Sequence, residues 1–329
     1  MRENKQRIFL DEYKTFGGTF NDTLAFIRGN FGEIFRGFIL FAGPVIVVLT
    51  SVTVWFEERA LLLASRLDEY ASGINYDLGA LFAEHFSITR LMAGIELLAQ
   101  LVLCSLCAVF IVGYHRNNGN HITLRDAGAM LKEKAWSLLG LFGVLFIFNV
   151  LLALLYDMLL VGTAGLGTGP YILGKIALVI IILLIYPPLV FLFNGGYVAM
   201  IREGLSPWAA FKRAFEVLKG NYWWTWVVML VSILCFWALS WIFSSPEHMI
   251  QWLIVDTDLL GLGDLEGYET LITAVHFIGL FIGELFDGFF YVLLGIHYFS
   301  LVEKKEGTGL MKRINSIGER QEFYRGDED

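Results

Sequence analysis

A chain of 329 residues in which 56% are hydrophobic and only 17% charged has too little polar surface for soluble domains, and its mean hydropathy of +0.62 suits lipid. The 24 Lys and Arg against 32 Asp and Glu leave a net charge of −8, which excludes the basic footprint of a nucleic-acid-binding protein. Three cysteines, all in apolar runs, imply no disulfide framework, and the polar start lacks the form of a cleaved signal peptide.

A membrane helix needs about 20 mostly apolar residues. In chain order, runs without charge place spans at 37–56, 97–114, 135–156, 176–201 and 220–246. A sixth, 281–302, ends a longer apolar stretch interrupted by Glu284 and Asp287. Cations collect on alternate connections: the N-terminal segment through Arg36, then Arg116, Arg125, Lys132 and Lys134, then Arg202, Lys212, Arg213 and Lys219, then the tail. The intervening connections hold only Arg59, Arg66, Arg90 and Lys175 and are otherwise acidic. By the positive-inside rule both termini are expected in the cytoplasm. The outer connections, 57–90 and 247–280, carry enough apolar residues to form a small helical extracytoplasmic cap, and 303–329 is expected as a cytoplasmic amphipathic tail.

Each odd-numbered span follows a stretch of helical periodicity with cations on its polar face: NDTLAFIRGNFGEIF, LRDAGAMLKEKAWSLL and PWAAFKRAFEVLKGNYWW. Aligned on the cation, Arg28, Lys132 and Lys219 fall in register, each followed within a turn by an aromatic ring, Phe31, Trp136 or Tyr222. With Lys212 and Arg213 they are candidates for contact with anionic lipid headgroups or partners, on helices lying in the headgroup plane. The chain therefore reads as one all-α membrane domain of six transmembrane helices, three repeats of a surface helix plus a transmembrane hairpin. Ser206-Pro207 marks the start of the third surface helix. Leu310, Met311, Ile314 and Ile317 make the tail a fourth helix of this kind or a solvated amphipathic one.

Ionisable residues at membrane depth are costly and hence functional candidates. Glu284 and Asp287 are neighbours on one helical face, His276 lies on roughly the same line, and Glu96 stands at the edge of the second span. Such a stripe could relay protons or bind a cation, or both carboxylates could sit at the outer interface. Pro187 and Pro188 deprive the fourth span of two N–H donors, and Asn194 follows within two turns, so a broken helix or a simple kink is expected there. Gly279 and Gly283 have the GxxxG spacing of close helix packing. Cys104 and Cys107 share a helical face, but LVLCSLCAVF supplies no thiol-activating cation. No phosphate loop, HExxH or nucleophile elbow is present, so neither catalysis nor a cofactor is expected.

The segments IRGNFGEIF, REGLSPWAAFKRAFEVLKGNYWW and HYFSLVEKKEGTGLMKRINSIG resemble a bacterial family of six-helix inner-membrane proteins. That family is named after the membrane domain of glycerophosphoryl diester phosphodiesterases and includes YciC-like proteins. The resemblance covers most of the chain and implies residence in the cytoplasmic membrane. It implies no phosphodiesterase activity, because the catalytic barrel domain is missing, and it points to a MoxR-type ATPase system as a partner. The expected role is a non-enzymatic scaffold or assembly subunit of an envelope-associated membrane complex. The alternative is a small-molecule or proton-coupled transporter using the broken fourth helix and the Glu284/Asp287 face.

Overall fold

The structure, a computed structural model, describes residues 8–55, 78–120, 122–164, 168–251, 269–311 and 314. No strand occurs among them. Helix α1 (Phe16–Gly37) passes through a π-helical turn (Phe38–Ala42) and continues as α-helix to Trp55. It is followed by α2 (Leu78–Arg116), α3 (Leu124–Ala164), α4 (Thr168–Glu203), α5 (Pro207–Leu218), α6 (Tyr222–Gln251) and α7 (Glu269–Glu306). Among the described residues six helices, all but α5, are long and apolar enough to cross a membrane, the mark of a multi-pass membrane protein.

The helices outrun the expected spans. The stretches before the first and third spans, expected as separate surface helices, are continuous with those spans in α1 and α3. Neither stretch contains a proline or a glycine at positive φ, so nothing in them stops a helix. Only the third is a separate element. It starts at Pro207, with Ser206 in the extended cap conformation, and the chain breaks at Gly220, whose φ is +89°. The Ser206 side chain makes no cap bond, so the preset φ of Pro207 carries the start. The π turn in α1 also has a local cause. Pro44 has no N–H to offer the preceding turn, and just before it Gly43 N–H donates to Phe38 O, one residue further back than in an α-helix.

Of the expected cap, residues 57–77 and 252–268 lie outside the described residues. The rest of those connections, 78–90, 247–251 and 269–280, extends α2, α6 and α7 as helix.

Two compact units make up the chain: Met1–Phe35, Cys104–Ser232 and Phe289–Asp329 in one, Arg36–Leu103 and Ile233–Gly288 in the other. In the first, three helix ends are buried on every face: 104–114 of α2, 191–201 of α4 and 290–303 of α7. A helix that is apolar all round belongs in an interior. Around these ends, other helices bury one stripe each, at helical spacing: Thr19, Thr23, Phe26, Asn30 and Ile34 on α1, Ala210, Ala214 and Val217 on α5, and Thr225, Val228 and Ser232 on α6. Three polar members of those stripes bond back to their own helix, Thr23 to Thr19 O at 2.8 Å, Asn30 to Phe26 O at 2.8 Å and Ser232 to Val228 O at 2.7 Å. Missing side chains allow the closest approaches. A Cβ on Gly195 would lie 2.9 Å from the Tyr298 ring and 3.4 Å from Ala214 Cβ, and one on Gly295 would overlap Ile111.

In the second unit Phe38, Ala42 and Ile46 of α1 are buried, as are Leu97, Ala99 and Leu101 of α2 and Leu285 of α7. Here the Phe38 ring occupies the space a side chain at Gly288 would need. Gly279 of the GxxxG pair is buried too.

Candidate functional site

The carboxylates belong to the second unit. Glu284 and Asp287 stand one turn apart and half-buried on α7, and Glu96, on α2, is close enough for its charge to act on both. Sequence spacing pairs only the first two; the fold adds the third. Gln100 donates to Glu96 Oε1 at 3.3 Å. His276 is half-buried about three turns before Asp287 on the same helix. Among the described residues no group of three or more His, Cys, Asp or Glu is placed to hold a metal ion.

The proline pair does not break α4, which runs unbroken from Thr168 to Glu203. Lacking N–H groups, Pro187 and Pro188 leave the carbonyls of Leu183 and Leu184 without helical donors. Both carbonyls are supplied from α6. Trp226 Nε1 donates to Leu183 O at 2.9 Å, and the Tyr222 hydroxyl donates to Leu184 O at 2.8 Å. A bare carbonyl in lipid costs free energy, and neighbouring helices routinely satisfy what a membrane proline frees. Tyr222 and Trp226 are therefore caps on the carbonyls that the proline pair frees within a continuous helix. Buried Asn194, one turn and a half on, donates to Tyr291 O on α7 at 3.4 Å. Six residues further along α7, His297 and Thr225 of α6 are 3.4 Å apart.

In the first unit the C-terminal ends of α2, α4 and α7 converge. Arg116 Nη2 donates to Ile201 O at 2.7 Å and to Arg202 O at 3.3 Å, so the last residue of α2 closes the open carbonyls at the end of α4. Arg202 lies over the Phe299 ring, 4.7 Å from its centre, and His115 packs against the same ring at 5.0 Å. Arg213 of α5 bonds both carboxylate oxygens of Glu203 at 3.2 Å and also pairs with Glu306. Partial burial alone would lower the Arg213 pKa, but the bond to Glu306 and the charge of Glu203 outweigh it and raise it further. Lys304 donates to Asn221 Oδ1 at 2.7 Å and Lys305 to Glu216 O at 2.8 Å. Three helix C-termini present partial negative charge in one place, and this belt of cations balances it.

The segment before α1 is fastened to the same end. Ile8 N–H donates to the Tyr114 hydroxyl at 3.1 Å, Lys14 N–H to Ser300 Oγ at 2.8 Å, and Asp11 pairs with His115 at 2.8 Å. A cleft of about 120 Å³ lies between residues 8–11 and the end of α2, lined by Asp11, Tyr114, His115 and Asn118 among others.

The cations expected to meet lipid divide. Arg28, Lys132, Lys212 and Lys219 are exposed. Exposed aromatic rings stand one turn after two of them, Phe31 after Arg28 and Trp136 (86% exposed) after Lys132, and exposed Trp223 (66%) follows Lys219 by four residues across the break at Gly220. Arg213 differs: the α5 register that buries Ala210, Ala214 and Val217 turns it inward to Glu203 and Glu306, so it ties helices together instead of facing outward. Sequence reasoning missed the capping roles of Tyr222 and Trp226 and the helix-closing role of Arg116. Two adjacent prolines signal that donors are needed, but not which helix provides them.

No protein-family model matches the chain, and no curated protein and no solved structure is significantly similar to it.

Proposed function

We propose that the chain is a non-enzymatic scaffold or assembly subunit of an envelope-associated complex in the bacterial cytoplasmic membrane, with both termini on the cytoplasmic side. The observation that carries this reading is what the charged groups do. At the convergent end of α2, α4 and α7 they close helix ends and bridge helices, while the outward cations Arg28 and Lys132 each stand one turn before an exposed aromatic ring and Lys219 precedes the exposed Trp223 in sequence. Cation and ring together suit the headgroup layer of an anionic membrane. Convergence of three even-numbered spans at one basic end supports an inside-to-outside alternation with that end in the cytoplasm. The thrice-repeated unit then stands as one separate surface helix, α5, and two long helices whose first turns do the same work. Other membrane proteins are the partners this reading requires, and a MoxR-type ATPase system is the one that the six-helix-family resemblance implies.

A second reading, a transporter, is favoured by one observation, the gathering of Glu96, Glu284 and Asp287. It loses its other support because the carbonyls freed in α4 are already bonded by Tyr222 and Trp226. Replacing Glu284→Gln and Asp287→Asn separates the readings. A scaffold retains its fold, its partners and its cellular phenotype with both changes. A transporter keeps its fold and loses the phenotype.

A further inference from the structure

Past the end of α7 the chain turns at Gly307, whose φ is +62°, and residues 308–311 and 314 are helical again. The new helix does not leave α7 at random. Buried Glu303, in the last turn of α7, accepts from the Thr308 hydroxyl at 3.1 Å, from Gly309 N–H at 2.9 Å and from Leu310 N–H at 3.0 Å. One carboxylate thereby holds the open N–H groups that begin the next helix, and its negative charge suits that end of the helix dipole. On the other side Gly309 lies so close to the Asp11 backbone that no side chain would fit. Direction and rotation of the segment are both fixed.

The consequence of that rotation is the exposure of three apolar side chains. Leu310, Met311 and Ile314, at positions i, i+1 and i+4 of one face, are 60%, 58% and 52% exposed. The same end of the chain is basic: Lys304 and Lys305 are exposed, and Lys312 and Arg313 stand between the apolar positions in sequence. An apolar face flanked by cations, starting two residues after a helix long enough to span a membrane, has the composition of an interfacial anchor.

We infer that residues 308–311 and 314 form a membrane-surface anchor whose apolar face, Leu310, Met311 and Ile314, enters the bilayer beside the end of α7, with the exposed Lys304 and Lys305 toward anionic headgroups, and that Glu303 is the residue that aims it. The occupant of the face is the lipid of the same membrane, because the three-bond tether to the last turn of α7 keeps the face at that level. The inference rests on the membrane placement of α7 and not on the scaffold reading, so either can fail alone.

The test places a nitroxide label at Met311→Cys, in a background with Cys104, Cys107 and Cys235 replaced by Ala or Ser, on the full chain in nanodiscs rich in phosphatidylglycerol. Collision with oxygen should exceed collision with a water-soluble nickel chelate several-fold, and the ratio should fall in nanodiscs of phosphatidylcholine alone. Adding Glu303→Ala should release the label to water and narrow its spectrum, with the six-span fold intact by circular dichroism. A label at Met311 that favours the nickel chelate in anionic nanodiscs overturns the anchor. A label that stays in lipid after Glu303→Ala overturns the aiming role of Glu303.

Discussion

Removing the Tyr222 hydroxyl while keeping its ring, Tyr222→Phe, should destabilise the protein, because Leu184 O then faces lipid without the N–H that Pro188 cannot give. Trp226→Phe does the same to Leu183 O opposite Pro187. Interhelical hydrogen bonds in membranes contribute about 0.6 kcal/mol on average and up to about 1.7 kcal/mol. A carbonyl with no alternative helical donor belongs at the upper end, so each change should cost about 1 to 1.5 kcal/mol. The two together should cost about 2.5 kcal/mol, a shift of nearly two orders of magnitude in the unfolding equilibrium. The decisive experiment is a pair of double-mutant cycles read by unfolding in mixed detergent micelles. Pro188→Ala returns an N–H to Leu184 O, so in that background Tyr222→Phe should cost less than about 0.5 kcal/mol. Pro187→Ala should rescue Trp226→Phe in the same way. The crossed pairs, Tyr222 with Pro187 and Trp226 with Pro188, should show almost no coupling, since each ring caps one carbonyl. Equal costs in the proline and alanine backgrounds would refute the reasoning and leave ordinary ring packing as the source of the stability.

Gly195→Ala puts a methyl 2.9 Å from the Tyr298 ring in a packed interior and should lower stability by about 1 to 3 kcal/mol, visible as a reduced thermal midpoint in detergent. The adjacent cations of α5 should behave oppositely: Arg213→Gln lowers that midpoint and leaves retention of anionic lipid unchanged, whereas Lys212→Gln with Lys219→Gln leaves the midpoint unchanged and reduces the phosphatidylglycerol retained in native mass spectra. Equal lipid loss from both variants would contradict the inward placement of Arg213. The effect of Lys212→Gln and Lys219→Gln should shrink as salt rises, because exposed charges are screened within about 10 Å at 0.1 M ionic strength.

The six spans are legible in the sequence because charge is scarce: every run of about 20 residues without it has only one place to go. Helix boundaries are less so. The amphipathic stretch before the first or third span has the same period as the span it enters, and periodicity alone shows no seam where no residue stops the helix. Gly220 supplies such a seam, and there the expected break is present. The proline pair misleads in the opposite sense, since a lost N–H breaks a helix only where no donor arrives from elsewhere, and Tyr222 and Trp226 come from a helix some 40 residues away. Arg213 and Lys212 are adjacent and chemically alike; only the buried stripe of α5 decides which faces Glu203 and Glu306. Glu303 carries no sequence signature of a cap, because it caps across a turn that depends on the left-handed conformation of Gly307.

The scaffold reading is tested most directly by extracting the protein from its native membrane with its lipid annulus in polymer-bounded particles, after brief crosslinking, and weighing the particles by mass spectrometry. A scaffold appears in a discrete assembly, with at least one other membrane protein at fixed stoichiometry. A lone monomer, with no partner captured by the crosslinker, contradicts it.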